Sequence, residues 1–405
     1  MTLPDMLNEE TLHFIQTHRQ DDTRLLALKP APPGVDLRAA LQQIEGRQAA
    51  GRKLPSWAER EGLLFPPRLA MEQCSSEQTA RYKQDVVRRW LASCGSSDPV
   101  LTDLTGGFGI DFSFLAPLFH RAVYMERQPE LCRIAAHNFR VLGLSQAEVR
   151  ETDSAQAPEC WPESDCCFVD PARRDASGRK TVAIGDCEPD LAALQEAIRR
   201  RSRFCLVKLS PMLDIGEALR ALPHTAEVHA VSVQGECKEL LLVMTRTTPE
   251  HVAFHCVNLD SGQPEFCFTP AEEEQAACSW AETPGRFLYE PNASLMKCQP
   301  FRCLAARYGL RKFHPNSHLY TADEWRENFP GRTFVVEAAC GFGKRELRDM
   351  LKDLRQANLT VRNFPATVAT LRQRLKLKEG GDTYLFATTT ADGRHVLLRC
   401  HKHES

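Results

Sequence analysis

Long apolar runs are missing from this sequence. No segment stays apolar over the roughly 20 residues that a membrane-spanning helix needs. The first residues, MTLPDMLNEETLHF, also lack the charged-then-apolar order of a secretory signal. We therefore expect a cytoplasmic location and no membrane partner.

Cysteine pairs with the spacing of a metal site are missing as well. None of the 16 cysteines forms a C-x-x-C pair, which is the spacing typical of structural zinc sites. The cysteines are instead scattered through apolar segments such as RFCLVKL, as reduced core cysteines are. The sequence therefore predicts neither a disulfide scaffold nor a bound metal.

The sequence also lacks an excess of positive charge. The formal net charge of the 405 residues is −2, which excludes a protein that holds nucleic acid through its overall charge. A polyanion would have to bind at a local patch, and residues 354–378 supply a candidate because they contain basic residues and no acidic one. We predict that this stretch contacts the substrate through Arg362, Arg372, Arg374 and Lys376.

The patterns that are present predict several domains. Residues 1–70 favour an N-terminal helical region, with one helix in LRAALQQIEGRQAAG. Another helix is predicted over residues 76–93, because Ser75 and Gln78 have the spacing of a capping box. From residue 98 to 246, short apolar runs alternate with helical stretches, which indicates a mainly parallel sheet covered by helices.

The second half of the chain has a different character. The runs EVHAVSVQ and ELLLVMT predict a β-hairpin that closes the edge of the sheet, and the acidic AEEEQAA after residue 246 is typical of a linker. The final segments predict strands, the amphipathic helix KRELRDMLKDLRQA and a terminal hairpin. We therefore predict an α/β fold with small α+β domains at its C-terminal end. The predicted domains span residues 1–70, 71–250, 251–330 and 331–405.

The run VLTDLTGGFGID carries the first candidate site. Its glycines, Gly106, Gly107 and Gly109, allow a tight turn in which backbone N–H groups approach a ligand. The run lacks the G-x-G-x-x-G order of a nicotinamide-binding loop. It resembles instead the D-x-x-G-x-x-G loop of class I methyltransferases, which holds the methionyl part of S-adenosylmethionine. A turn with a purely structural role is the alternative.

Acidic residues end four successive predicted strands in the order that such enzymes use: Asp103, Glu126, Asp153 and Asp170. The resemblance implies that Glu126 binds the ribose hydroxyls and that Asp153 binds the adenine amino group. Solvated strand caps are the alternative for each acid taken singly. The predicted cofactor-binding residues are Asp103, Thr105, Gly106, Gly107, Phe108, Gly109, Asp111, Glu126, Asp153 and Ser154.

The stretch FVDPARRD supplies the candidate catalytic residues Asp170, Pro171 and Arg173. D-P-P followed by an aromatic residue marks enzymes that methylate exocyclic or planar nitrogens. The Asp carboxylate and the Pro carbonyl can hydrogen-bond such an amine and direct its lone pair. Here Ala172 and Arg173 replace the second proline and the aromatic residue. An arginine plane can stack on a base, and a surface ion pair with Asp175 is the alternative.

These motifs identify the chain as similar to a bacterial class I methyltransferase family. The family carries DLTGGFGID, DPARR, KLSPMLD and GECKE, followed by a ferredoxin-like domain and a THUMP-like domain. Here those domains contain LYEPNASLMK, SHLYTADEW and VRNFPATVATLRQRLKLKEGGDTYLFATT, and the resemblance covers Leu69 to His401. The core is also similar to RNA cap guanine-N2 methyltransferases, in which SSEQTARY-like residues precede it. The resemblance implies a Rossmann-like core, S-adenosylmethionine as cofactor and, because THUMP domains present RNA to a modifying domain, an RNA partner.

The leading expectation is an S-adenosylmethionine-dependent methyltransferase of a base nitrogen in rRNA or tRNA, with guanine N2 as one candidate atom. Lys208, at the end of the fifth predicted strand, is expected to contact the substrate. No metal is needed for an in-line displacement in which the cofactor sulfur leaves. Two alternatives stay open: a methyltransferase of a protein or small molecule, and a non-catalytic RNA-binding protein with a vestigial cofactor fold.

Overall fold

The structure of this protein is a computed structural model, which describes residues 7–173 and 184–403. Its internal contacts define two units. Unit 1 comprises Met1–Ala226 and Leu241–Glu250, and unit 2 comprises Glu227–Leu240 and His251–Ser405. The chain therefore passes from unit 1 to unit 2 and back before it ends in unit 2.

Unit 1 begins with helices and continues with alternating strands and helices. The N-terminal helices are α1 (Glu9–Thr17), α2 (Thr23–Leu26), α3 (Leu37–Lys53), α4 (Pro55–Ala58), α5 (Arg68–Gln73) and α6 (Glu77–Cys94). They are followed by β1 (Val100–Asp103), α7 (Ile110–Leu115), β2 (Arg121–Glu126), α8 (Pro129–Val141), β3 (Ala147–Glu151), β4 (Ser164–Val169), β5 (Ala172–Arg173), β6 (Cys187–Glu188), α9 (Leu191–Arg201), β7 (Ser202–Leu209) and α10 (Ile215–Ala221). This alternation is that of a Rossmann-like core.

The core strands of unit 1 run parallel in the order β7-β4-β1-β2-β3. Every residue of β4 is buried, as expected of a parallel strand that is covered on both faces. From β1 the chain moves outward to β2 and β3 and then returns past β1 to β4. The carboxyl ends of β1 and β4 therefore flank a topological switch point, where open α/β sheets bind ligands.

Helix α6 is the helix predicted over 76–93, displaced by one residue. Its N-cap is Ser76, whose side chain accepts a hydrogen bond from the Thr79 N–H group. The prediction of a cap at Ser75 was wrong, because Ser75 Oγ instead accepts from Lys83 Nζ at 3.1 Å and donates to the buried Asp111 carboxylate at 2.7 Å. The charged ammonium group is a stronger donor to this oxygen than a backbone N–H group, and the neighbouring serine caps the helix.

The N-terminal helices share a hydrophobic cluster with the segment that follows β1. Trp57 of α4 meets the Phe108 ring edge-on, with ring centroids 5.2 Å apart. The buried members of this cluster are Ala50, Leu54, Trp57, Leu63, Leu64, Phe65, Met71, Ala80, Phe108, Ile110 and Ile134.

Among the described residues, no helix is both long enough and apolar enough to span a bilayer.

The elements from residue 225 onward belong almost entirely to unit 2. They are β8 (Thr225–Val233), β9 (Glu236–Thr245), β10 (Ala253–Asn258), β11 (Phe266–Phe268), α11 (Pro270–Gln275), β12 (Ser279–Trp280), β13 (Phe287–Pro291), α12 (Ala293–Cys298), α13 (Phe301–Tyr308), β14 (Arg311–Lys312), β15 (Tyr320–Ala322), β16 (Gly331–Cys340), α14 (Lys344–Leu351), β17 (Asn358–Arg362), α15 (Val368–Leu375), β18 (Thr383–Thr389) and β19 (His395–Lys402).

The predicted hairpin is formed by β8 and β9. Its turn residues, Gln234 and Gly235, both have positive φ, at 53° and 76°, as a two-residue hairpin turn requires. The prediction that this hairpin closes the sheet was wrong, because β10 pairs in parallel with β8 and β11 pairs antiparallel with β10. The segment predicted as a linker therefore contains two strands, and most of AEEEQAA lies in helix α11.

The two expected C-terminal domains share one eight-stranded sheet, in the order β12-β14-β15-β13-β16-β19-β18-β17. Strands β13 and β16 join them by antiparallel pairing, with Phe287 opposite Val335. The terminal hairpin, β18 and β19, and the buried face of α14 with Leu347 and Met350 are as predicted. The predicted fold class, an α/β core with N-terminal helices and α+β structure at the C-terminal end, is confirmed.

Candidate active site

Four acidic side chains lie at the carboxyl ends of neighbouring parallel strands. Asp103 ends β1 and Glu126 ends β2, whereas Asp153 follows β3 by two residues and Asp170 directly follows β4. Asp103 and Glu126 are buried, with exposed fractions of 1% and 8%. Because β1 lies between β2 and β4, the acids predicted from separate strand ends converge on the switch point.

The loop from β1 to α7 is shaped by its glycines. The Gly106 N–H group donates to the Met125 carbonyl at 2.8 Å, and a Cβ atom at Gly106 would lie 2.2 Å from the Tyr124 ring. A Cβ atom at Gly109, whose φ is +83°, would lie 2.9 Å from the Phe139 ring. Packing against these rings therefore requires glycine at both positions.

Gly107 has open space beside it. Its φ is +57°, and a Cβ atom there would meet only the Thr105 carbonyl, at 3.7 Å. The Gly107 N–H group donates to Glu126 Oε2 and the Gln128 N–H group donates to Glu126 Oε1, both at 2.8 Å. The Glu126 carboxylate is thereby fixed at the end of β2, and each of its oxygens has lone-pair capacity for a second hydrogen bond.

The end of the third strand is tied to the first strand through Ser154. The buried Ser154 hydroxyl donates to the Leu104 carbonyl at 2.6 Å, and the Ser154 carbonyl accepts from the Trp161 indole at 3.0 Å. Asp153 is more exposed and accepts from the Gln156 side-chain amide at 2.9 Å. Ser154 therefore has a structural role in unit 1, and Asp153 presents the more accessible side chain.

Two predicted cofactor residues direct their side chains into the interior of unit 1. Phe108 is 5% exposed and belongs to the cluster around the N-terminal helices. Asp111, in the first turn of α7, is buried as well and accepts the Ser75 hydrogen bond. Both side chains make contacts within the protein, and their predicted contacts with a cofactor stay predictions.

A buried lysine that the sequence analysis missed lies beside Asp111. Lys83 of α6 is fully buried, and its Nζ donates to Ser75 Oγ at 3.1 Å and lies 3.3 Å from Asp111 Oδ1. Burial alone would raise the pKa of Asp111, but the charges of Lys83 and Lys208 outweigh it and leave that pKa lowered. The available signal was the helical spacing of Lys83, which lies three residues after Ala80 and three before Val86 on the buried face of α6.

Asp170 is held at both its backbone and its carboxylate. Its N–H group donates to Thr105 Oγ1 at 2.6 Å, which joins the DPAR loop to the glycine loop. Its Oδ2 lies 2.6 Å from Lys208 Nζ, and Asp111 Oδ2 lies 3.6 Å from the same ammonium group. Lys208, predicted to contact substrate, is thus part of a row of alternating charges, Lys83, Asp111, Lys208 and Asp170.

The segment after Pro171 forms the short strand β5. The backbone of Arg173 pairs there with Cys187 of β6. The side chain of Arg173, together with Arg174 and Asp175, lies outside the described residues. A stacking role for Arg173 therefore stays a prediction.

The charged form of Asp103, at the end of β1, is disfavoured. Burial raises its pKa well above the usual value for aspartate, and the nearby carboxylates of Asp111, Asp170 and Glu126 act in the same direction. The hydrogen bond from the Thr105 N–H group, at 2.9 Å, offsets these effects only in part. Ionised Asp103 is therefore a source of instability in the ligand-free protein.

We expect Asp103→Asn to stabilise the ligand-free protein by about 1 kcal/mol at neutral pH. The folded-state pKa lies above the unfolded-state pKa, so the native carboxyl loses stability as the pH rises between the two values. The advantage of the variant should therefore vanish below about pH 4. Urea unfolding over a range of pH measures it, with the exposed Asp98→Asn as control. Destabilisation at neutral pH would contradict this account.

Two of the predicted basic residues are held by partners inside unit 2. Arg362 Nη2 donates to Glu290 Oε1 at 2.9 Å, and Arg332 Nε donates to the other oxygen of that buried carboxylate at 2.9 Å. Arg372 donates to the Ala357 carbonyl at 3.1 Å, and its side chain is 20% exposed. Residues 354–378 contain no acidic residue, but Glu290 neutralises part of their positive charge in the folded chain.

Arg374 and Lys376 are exposed. The Arg374 guanidinium lies 5.7 Å from the centroid of the Phe342 ring and makes a long hydrogen bond, 3.4 Å, to the Phe342 carbonyl. Lys376 follows the last residue of α15 in the left-handed conformation, with φ of 55°. These two residues are the accessible members of the predicted substrate-binding set.

The residues at the switch point fit S-adenosylmethionine, the cofactor implied by the fold. Glu126 offers two oriented carboxylate oxygens with acceptor capacity for a pair of ribose hydroxyls. Gly107 leaves the surface of its loop open, and Asp153 is an accessible acceptor beyond the neighbouring strand. These acceptors therefore fit the hydroxyl and amino groups of this cofactor.

Two family models match the C-terminal part of the chain. A ferredoxin-like domain matches residues 287–330, and a THUMP domain-like model matches residues 331–402. A search of curated proteins found no match. The expected ferredoxin-like and THUMP-like domains are therefore both supported by family models.

Several solved structures are similar to this chain. The crystal structure of a putative methyltransferase from Porphyromonas gingivalis W83 has a TM-score of 0.86 and 36% identity, covering 98% of this chain and 99% of that chain. A putative class I S-adenosylmethionine-dependent methyltransferase from Listeria monocytogenes has a TM-score of 0.40 and 10% identity, over 63% and 94%. An rRNA methylase from Streptococcus thermophilus has a TM-score of 0.31 and 12% identity, over 40% and 96%.

Proposed function

We propose that this chain, which belongs to the family of the Porphyromonas gingivalis W83 putative methyltransferase, is an S-adenosylmethionine-dependent methyltransferase of a base nitrogen in RNA. Family membership rests on 36% identity over nearly all of both chains. The proposed activity is carried by one observation, the hydrogen bond from the Asp170 N–H group to Thr105 Oγ1. It joins the predicted cofactor loop to the predicted amine-binding loop.

S-adenosylmethionine supplies an electrophilic methyl group on a sulfonium. In the proposed site Glu126 accepts hydrogen bonds from the ribose hydroxyls, and Asp153 accepts one from the adenine amino group. The Gly106 and Gly109 contacts with aromatic rings hold the loop in shape beside them. Binding and orienting the cofactor is thus the proposed task of the first three strand ends.

The fourth strand end is proposed to bind the amine. An exocyclic base nitrogen is a weak nucleophile, because its lone pair is delocalised into the ring. Hydrogen bonds from the amine to the Asp170 carboxylate and the Pro171 carbonyl direct that lone pair out of the ring plane. Lys208 engages Asp170 Oδ2, and Oδ1 is the proposed acceptor for the amine. The proton that the amine loses after methyl transfer would pass to Asp170 Oδ1, its proposed hydrogen-bond acceptor.

RNA is proposed as the substrate on two grounds. The THUMP domain-like model matches residues 331–402, and THUMP domains present RNA to an attached modifying domain. Arg374 and Lys376 are exposed within that region, where phosphates could reach them. Two finer questions are left to experiment: whether the RNA is rRNA or tRNA, and whether the methylated atom is guanine N2.

Mass spectrometry of the nucleosides in total RNA, from cells with and without this gene, tests the proposal. One methylated nucleoside should be lost with the gene and restored by the native chain but not by an inactive variant. An unchanged RNA profile, with labelled methyl transferred to a protein or small-molecule fraction, would overturn the RNA assignment. Calorimetry with S-adenosylmethionine tests the cofactor separately, because no binding would leave only the non-catalytic alternative.

The exposed cations give a second test of the substrate class. Replacing Arg374 and Lys376 together with glutamine should weaken RNA binding roughly 10-fold at low salt and reduce the salt-dependence slope by about 2. The binding of S-adenosylmethionine should not change. Fluorescence anisotropy with the cognate RNA over a salt series is the measurement.

A matched control for that variant is the replacement of Arg345 and Arg348 with glutamine. These side chains on α14 are 89% and 76% exposed, and their replacement removes the same total charge. If both double variants weaken RNA binding equally, the effect is one of net charge, and the proposed contact at Arg374 and Lys376 is refuted.

A further inference from the structure

Three neighbouring strands of unit 2 place metal-ligating side chains in one row. Glu227 and His229 are two residues apart on β8, and His255 of β10 is in register with His229. Cys267 of β11 is in register with His255, and Glu265 precedes it by two residues. Because side chains alternate between the faces of a sheet, all five lie on the same face.

The donor atoms of Glu227, His229 and His255 converge. His229 is fully buried, and its Nε2 lies 2.9 Å from Glu227 Oε2. The His229 and His255 ring centroids are 4.3 Å apart. One donor atom from each of the three residues lies within 4.8 Å of the other two. Tetrahedral zinc with bonds near 2.05 Å would set such donors about 3.3 Å apart, so the side chains need only small shifts to share one ion.

The two nitrogens of His255 have different surroundings. Its Nδ1 lies 2.6 Å from Glu265 Oε1, whereas its Nε2 is buried and has no hydrogen-bond partner. The whole residue is 8% exposed, so this nitrogen is cut off from water at a cost in free energy. In the neutral ring a proton on Nδ1 faces Glu265 and leaves a lone pair on Nε2. Metal-bound histidines are oriented by a carboxylate in this way.

We propose that Glu227, His229 and His255 form a binding site for one divalent transition-metal ion of the zinc class, with Glu265 orienting His255. Two imidazoles and one carboxylate suit Zn²⁺, Co²⁺ or Ni²⁺, whereas Mg²⁺ and Ca²⁺ prefer oxygen ligands alone. Three protein ligands leave a fourth position for water. The site lies wholly within unit 2 and does not depend on the proposed methyl transfer.

A second position on the same row competes with this site. Donor atoms of His255, Glu265 and Cys267 also lie within 4.8 Å of one another, and Cys267 Sγ is 3.4 Å from His255 Nδ1. There, however, Nδ1 already has Glu265 as its partner, and Glu265 and Cys267 are exposed. The unpartnered Nε2 and the burial of His229 favour the inner position, formed by Glu227, His229 and His255.

Titration of the chelator-treated full-length chain with Co²⁺ and then Zn²⁺ tests the proposal. Metal binding requires deprotonated ligands, so protons compete with the ion, and the titration is best done near about pH 8. We expect one equivalent of Co²⁺ to give d–d absorption without a thiolate charge-transfer band, and Zn²⁺ to displace it.

Four variants locate the ion. His229→Gln and His255→Gln should each weaken binding at least about 100-fold, and Glu265→Gln about 10-fold, whereas Cys267→Ser should bind as the native chain does. Thermal unfolding without metal shows which variants remain folded, and affinities are compared among those. Absence of stoichiometric binding would overturn the proposal. So would a thiolate band that disappears in Cys267→Ser, since it would put the ion at the outer position.

Discussion

Replacing Asp170 with alanine should reduce kcat for methyl transfer by at least about 100-fold. The dissociation constant of S-adenosylmethionine should change by less than about threefold. The proposed carboxylate orients the amine and not the cofactor, so its removal leaves the first three strand ends intact. The Asp170 N–H group still donates to Thr105 Oγ1 in the variant, because that hydrogen bond uses the backbone. Single-turnover transfer of labelled methyl to RNA and calorimetry with the cofactor measure the two quantities.

The matched control is Asp85→Ala, which removes an exposed aspartate on α6 that pairs with Arg88. It should leave both quantities unchanged, because surface ion pairs contribute little. Near-native turnover in Asp170→Ala would refute the proposed amine orientation. A large loss of cofactor affinity with unchanged turnover at saturation would instead assign Asp170 to the cofactor site.

Replacing Lys83 with methionine should lower the free energy of unfolding of unit 1 by about 3 kcal/mol. Lys83 is fully buried beside Asp111, and methionine has a similar length without the charge. The variant leaves Asp111 buried with Ser75 and with Lys208 at 3.6 Å. Removing one member of a buried ion pair is costly because the other charge stays out of water. Urea unfolding followed by tryptophan fluorescence measures the loss.

A double-mutant cycle separates the charge effect from the loss of packing. Lys83→Met should cost clearly less in the Asp111→Asn background than in the native background, because no carboxylate then remains unpaired. The exposed Lys352→Met serves as control and should change stability by less than about 0.5 kcal/mol. An equal cost in both backgrounds would show that packing, and not the ion pair, makes Lys83 necessary.

Local patterns predicted the elements that depend on neighbouring residues. The alternation of short apolar runs and helical stretches indicated the parallel core, and the run SDCCFV became a strand that is buried throughout. The acids at the ends of these runs were recognised as parts of one site, because parallel strands bring their carboxyl ends to the same edge of a sheet. The hairpin was predicted from the runs EVHAVSVQ and ELLLVMT, which are close in sequence, and hairpin pairing is local.

Local patterns failed where a distant residue competed for a partner. The Ser75 hydroxyl had the spacing of a helix cap, but it accepts instead from Lys83 Nζ and donates to Asp111 on another helix. Arg362 belongs to a stretch without acids, yet Glu290 lies 72 residues away in sequence and pairs with it. The segment after residue 246 looked like a linker because its strands β10 and β11 are short and acquire partners only in the sheet.

The sequence by itself determined the class of fold, the order of the strand-end acids and the glycine loop beside them, because these depend on periodicity and on contiguous motifs. Only the tertiary structure decided which partners the charged groups have. In the structure, Lys83 and Lys208 lie on either side of Asp111. His229 and His255 are 26 residues apart in sequence, and they lie side by side because their strands pair with these two residues in register. Side-chain pairing across elements is set by strand order and helix packing, and no local pattern encodes it.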